Sequence, residues 1–98
     1  MRSIVEDADC CFICATIYGK YNWQEIENHH IFFGTGKRSL SDEDGLTVHL
    51  CRNHHREGTE AAHKNRLTDM YLKAIGQSRY EETHTRAEFI KRYGKSYL

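Results

Sequence analysis

Ninety-eight residues fit one small domain, and a chain of that length buries only roughly 60–65% of its unfolded surface. Fourteen Lys and Arg balance fourteen Asp and Glu, so global charge gives no tight nonspecific grip on nucleic acid. The longest apolar runs are a few residues, which excludes a transmembrane helix, and no secretory signal pattern opens the chain.

Charge is uneven locally. Glu6, Asp7 and Asp9 crowd the N-terminus, while Arg86, Lys91, Arg92 and Lys95 outweigh Glu88 in the tail. There is no proline, internal repeat or low-complexity stretch, so one unit over residues 1–98 is expected. Residues 10–24 hold a cysteine knuckle and an aromatic-rich connection with Tyr18, Tyr21 and Trp23. Residues 26–33 predict a strand. Residues 34–45, polar and marked by Gly34, Gly36 and Gly45, predict a loop. Leu46, Val48 and Leu50 alternate inward as a second short strand, and a helix is expected to begin around Arg52 to His55.

From Asn65 the apolar period becomes helical: Leu67, Met70, Tyr71, Ala74 and Ile75 define one face. Gly76, about 1 kcal/mol worse than alanine in a helix, predicts a weak point or a break. Thr85-Arg-Ala-Glu88 fits a capping box for a last helix with Phe89, Ile90 and Tyr93 on its apolar side and Gly94 as its stop.

Two histidine doublets dominate the chemistry. His29-His30 lies in EIENHHIFF and His54-His55 in LCRNHHREG, so four of seven histidines are paired. Cys11-x2-Cys14 and Cys51-x2-His54 form two knuckles that can complete one tetrahedron of three thiolates and an imidazole, a structural zinc set. Cys10 can replace Cys11 through a three-residue gap, although the two-residue spacing is the commoner geometry; otherwise Cys10 is a small buried hydrophobe. Reduced thiolates on zinc are expected over disulfides, which places the chain in a cytoplasm.

His29, His30, His55 and His63 are then left for a second site. Successive side chains on a strand face opposite sides, so His29 and His30 cannot both face one ion without help. One would hold a metal while the other approaches substrate from beside it.

The order Cys-x2-Cys, strand with a doublet ending in His-Ile, loop, strand, Leu-Cys-x2-His-His, helix resembles the His-Asn-His (HNH) endonucleases. The pattern HHIFFGTG, LCxxHH, His63-Lys64-Asn65 and a terminal FIKRYGKSYL is similar to small phage members like the Ref family of RecA-dependent nucleases. The likeness runs from about Cys11 to the C-terminus. It implies an α+β fold: a zinc-stapled ββα-metal (His-Me finger) core over about 10–66 with added C-terminal helices over about 66–94. It also implies His30 as general base, His29 and His55 as ligands of a catalytic divalent ion, and His63 as a further ligand or phosphate contact. The family's middle asparagine has no counterpart near Gly45 or Leu46, and Asn53 sits inside the second knuckle. The His30 ring then needs another orienting group, such as a backbone carbonyl.

The expected function is a metal-dependent DNA endonuclease or nickase, phage-encoded and working in a bacterial cytoplasm, as monomer or homodimer, with a RecA-like recombinase as a possible partner. His30 would take a proton from water near neutral pH. A zinc with three thiolates and one imidazole carries a net charge of about −1 and repels phosphate, whereas an ion on neutral imidazoles keeps about +2. Lys37, Arg38, Arg52, Arg56, Lys64 and Arg66 lie beside this site in sequence and can track a phosphate backbone. Imidazole ligands favour Mn2+, Co2+, Ni2+ or Zn2+ over Mg2+. The alternative is a catalytically silent zinc module that binds DNA or a protein.

Overall fold

The structure, a computed structural model, describes residues 2–6 and 8–98; Asp7 of the acidic N-terminal group lies outside them. Its architecture is α+β. Helix α1 (Phe12–Tyr18) is followed by strand β1 (Ile26–His30), helix α2 (Lys37–Asp44) and strand β2 (Thr47–Cys51). A π-helical turn (Asn53–Glu57), helix α3 (Arg66–Tyr80) and helix α4 (Arg86–Tyr93) complete the order. The strands form one antiparallel pair in which His29 stands opposite Val48 and Glu27 opposite Leu50. Among the described residues, no helix is long and apolar enough to cross a membrane.

The first strand is shorter than expected. It ends at His30, because the Ser41 hydroxyl donates to the Phe32 carbonyl at 2.7 Å and accepts from the Phe32 amide at 2.9 Å. Those bonds take the Phe32 backbone out of pairing and turn the ring into the core. There it meets Tyr93 at 4.6 Å and Phe89 at 5.4 Å between centroids.

Residues 34–45 are not all loop: α2 occupies eight of them. Its sequence KRSLSDED has one large apolar side chain, so period could not reveal it. Glycines in left-handed conformation bound it, Gly36 with φ 79° and Gly45 with φ 71°. Gly45 is also tight, since a Cβ there would lie 2.4 Å from the Arg2 carbonyl oxygen. The residues around the first knuckle likewise form a helix, α1, whose N-terminal amide of Cys14 donates to the Cys11 sulfur at 3.4 Å.

Asn65 caps α3, its side-chain oxygen accepting from the amides of Leu67 and Thr68. The buried face differs from the expected one. Leu72, Gly76, Gln77 and Tyr80 turn inward, whereas Leu67 is 81% exposed and Tyr71 and Ile75 pack only at the edge. Gly76 does not break the helix; it lets the backbone approach Ile31 and Phe32. The capping box of α4 forms as expected, with Phe89 and Tyr93 buried, Ile90 half out and Gly94 closing the helix at φ 98°.

Gly76 supplies a test. A Cβ at this position would stand 3.2 Å from Ile31 and 3.3 Å from Phe32, inside ordinary van der Waals contact, and both side chains are almost fully buried. Gly76→Val is expected to destabilise the fold by about 1–3 kcal/mol through overpacking, read as a lower urea midpoint at unchanged slope. An unchanged or higher midpoint would show that the helix does not need this close approach.

Candidate metal centres

Four side chains from three elements meet in one cluster. Cys11 and Cys14 come from the start of α1, Cys51 from the end of β2 and His54 from the π-helical turn, and all four are buried. His54 Nδ1 lies 3.5, 3.3 and 3.4 Å from the sulfurs of Cys11, Cys14 and Cys51. Cys14 and Cys51 sulfurs are 3.9 Å apart. Bonds of about 2.3 Å to sulfur and 2.0–2.1 Å to nitrogen at tetrahedral angles put ligand atoms roughly 3.5–3.8 Å apart. The observed edges fit that figure, so this cluster could hold a zinc ion. Cys10 is buried but stands outside the cluster, as a small hydrophobe would.

The protonation chemistry points the same way. Burial pushes the Cys11 thiol up to about 12 and raises Cys14, so neither ionises alone at neutral pH. A coordinating divalent cation deprotonates such thiols outright. Burial also lowers His54, which keeps its imidazole neutral and available as a ligand. Tyr18 covers the site, its ring stacked on His54 at 5.7 Å and its hydroxyl donating to Glu60. Asn22 reaches the Cys14 sulfur at 3.9 Å.

The second cluster is built of imidazoles alone. His29 from β1, His55 from the π-helical turn and His63 from the segment before α3 bring one ring nitrogen each within 4.8 Å of the others. His55 and His63 Nε2 atoms are 3.2 Å apart, close to the roughly 3.3 Å edge of two nitrogens on one tetrahedral ion. His29 is 1% exposed, and its Nε2 has no hydrogen-bond partner among the described residues. A buried polar atom without a partner is costly, and a cation would satisfy it.

Local structure explains the convergence. Consecutive residues on a helical turn point in different directions, so His54 and His55 serve different clusters from one turn. The chain then folds back: the amides of Ala62 and His63 donate to the carbonyls of His54 and His55 at 2.7 and 3.3 Å. That return carries His63 to the cluster.

His29 and His30 divide as the strand alternation requires. His29 joins the cluster, while His30 Nε2 lies 3.4 Å from the Asp42 carboxylate on α2. The neighbour of the His30 ring is thus a carboxylate rather than the expected backbone carbonyl. Both histidines line one cavity of about 120 Å³ with Asn28, Phe33, Arg38, His55, Arg56 and His63. Phe33 walls it, its ring 5.0 Å from His63 and 5.8 Å from His29, with Lys73 Nζ 4.8 Å behind.

Of the six basic residues expected along a backbone path, the cavity gathers Arg38 and Arg56. Arg52 sits between Glu25 and Glu57 at 3.6 Å each, and Lys64 donates to the Glu57 carbonyl. Lys37 lies beside Gly94, and Arg66 is exposed at the start of α3.

Sequence reasoning missed two acidic neighbours. Glu27 accepts from His55 Nδ1 at 2.7 Å, and Asp42 faces His30. Glu27 was within reach, because it lies two residues before His29 and so shares its face of β1. Asp42 carried no such signal.

Burial pushes His29 down to about 3, with the neighbouring His55 and His63 adding to the shift, and local desolvation and the nearby His55 lower His63, although His63 is exposed. Below about pH 6.5 the unfolded chain therefore binds protons that the folded chain refuses. With zinc on the sulfurs and no metal on the imidazoles, stability should be level above about pH 6.5. Between pH 6.5 and 5.5 it should fall, at up to about 1.4 kcal/mol per unit for His29 alone. Urea unfolding across that range checks this; a flat profile would mean that the buried ring ionises as freely as an exposed one.

No family model, no curated protein and no solved structure matches this chain, so the reading of both clusters rests on their own chemistry.

Proposed function

We propose that this protein is a metal-dependent DNA endonuclease or nickase of the His-Asn-His type, hydrolysing phosphodiester bonds at the imidazole cluster. The observation that carries the reading is the shared cavity: His30 borders the same space as His29, His55 and His63, with Arg38 and Arg56 at its walls. Strand β1, helix α2, strand β2 and the turn bearing His54-His55 follow an order compatible with a ββα-metal finger that carries a helix between its strands.

His29, His55 and His63 would hold the divalent ion, which when bound supplies polarisation of the scissile phosphate and charge neutralisation at the departing 3′-oxygen. His30 accepts the proton of the attacking water through one ring nitrogen, and Asp42 steadies the ring through the other. Arg38, which has no carboxylate partner among the described residues, is free to hold a non-bridging phosphate oxygen. The Cys11, Cys14, Cys51 and His54 cage stays out of the reaction and holds the turn.

A second reading, a silent zinc module that binds DNA or a protein, draws on the ion pairs of Arg52 and Arg56 and on the zero net charge. Nicking of supercoiled plasmid separates the two. His30→Ala is expected to lower the rate by about 10²–10⁴-fold with DNA binding retained. Equal rates in variant and wild type would remove His30 from the chemistry, and no nicking by either would favour the module.

The donor set also fixes a metal order. Three imidazoles suit Mn2+, Co2+ or Ni2+ better than Mg2+, which prefers oxygen ligands and keeps its waters. Nicking should be faster with any of the first three. Equal or better activity in Mg2+ would count against an all-histidine centre.

A further inference from the structure

Glu27 does not line the cavity but touches two residues that do, His55 and Arg56, and the mechanism above does not use it. Its carboxylate Oε1 lies 2.7 Å from His55 Nδ1 and 3.7 Å from Arg56 Nε. It is not one of the atoms that converge in the imidazole cluster, so it touches a ligand and not the ion position. An ionised carboxylate only accepts hydrogen bonds, which places the proton of a neutral His55 on Nδ1. Nε2 then carries the lone pair, and Nε2 is the atom that faces His63 at 3.2 Å.

We propose that Glu27 is the positioning residue of the histidine centre: it fixes His55 in the tautomer that presents Nε2 to a cation and tethers Arg56 at the cavity wall. The proposal rests on reading the three imidazoles as a metal centre. Metal-bound histidines characteristically donate their second ring N–H to a carboxylate or carbonyl, which sets ring orientation and raises ligand basicity. Of the three imidazoles, His55 is the one with a carboxylate on its remote nitrogen among the described residues. Burial confines the rings of His29 and His55 alike, and the Glu27 carboxylate is what selects which His55 nitrogen carries the proton. The same oxygen reaches Arg56, so one carboxylate spans a ligand and a cation of the cavity wall.

Two measurements test it, on full-length protein with zinc retained on the sulfurs. Long-range 1H–15N correlation of the histidine rings, with no metal on the imidazoles, should show His55 as the Nδ1–H tautomer in wild type and a shift toward Nε2–H in Glu27→Ala. A wild-type His55 in the Nε2–H form overturns the proposal whatever the second site binds. Calorimetric titration with Co2+ should then show one added site, about 10–100-fold weaker in Glu27→Ala. Glu27→Gln should recover most of the loss, since its amide oxygen still accepts from Nδ1. Wild-type affinity in Glu27→Ala, or a Glu27→Gln as weak as Glu27→Ala, overturns the positioning role. Absence of Co2+ uptake by wild type overturns instead the metal reading on which it rests. Glu27 is partly exposed, and an unchanged zinc content in each variant separates these outcomes from misfolding.

Discussion

His54 and His55 are adjacent in sequence and both buried, yet their rings belong to different clusters. One π-helical turn, placed directly after β2, serves the sulfur cage with its first histidine and the imidazole centre with its second. The wider winding of a π turn is a recurring feature at functional sites, and here it sets the spacing between two centres. A disturbance of the cage therefore moves His55 through a single peptide unit. In a domain this small, a structural zinc contributes about 10–16 kcal/mol, comparable to the whole stability of an ordinary domain. The cage would then stabilise the fold and hold one wall of the cavity with the same bonds.

Charge separates the two clusters as sharply as geometry joins them. Three thiolates on a zinc leave about one negative charge, whereas imidazoles leave a divalent ion nearly its full charge. The chain has no net charge with which to attract a phosphate backbone. Attraction would have to be local, at the imidazole centre and at the arginines beside it. Arg52 and Arg56 are engaged with Glu25, Glu57 and Glu27, which leaves Arg38 as the cavity's unpaired cation among the described residues. A divalent ion on the imidazoles would focus a field at one point and not along a stripe.

Ligand spacing was legible in the sequence because knuckles are local. Cys11-x2-Cys14 and Cys51-x2-His54 needed only two turns and a strand pair to meet, and the alternation of β1 parted His29 from His30. Features whose cause lies elsewhere in the chain were not legible. Helix α2 carries one large apolar side chain, Leu40, and is held by distant partners through Ser41, Glu43 and Asp44. The inward face of α3 follows Gly76 rather than the larger Met70 and Leu67, since a missing side chain permits the closest packing against Ile31 and Phe32. Phe32 leaves the strand for a hydroxyl nine residues away. Pattern-reading weighs side chains by hydrophobicity, and each of these positions is decided by a contact instead.

The most remote of those contacts bears on the candidate general base. Helix α2 carries Arg38 to the cavity and Asp42 to His30, but its own core contribution is small. Asp44 on its last turn is held by Arg92 at 2.6 Å and by the Tyr93 hydroxyl at 2.5 Å, while Glu43 takes a second bond from Arg92. Arg92 is held firmly protonated by the Asp44 carboxylate, and Tyr93 is fully buried against Phe32 and Phe89. Helix α4 thus grips α2 through one carboxylate embedded at the rim of an aromatic core. Ser41, one turn earlier, grips the backbone just beyond β1. The two grips lie on either side of Asp42 along the helix and fix its direction toward His30. A C-terminal helix with no residue lining the cavity therefore helps set where the His30 ring stands, by holding the helix that faces it.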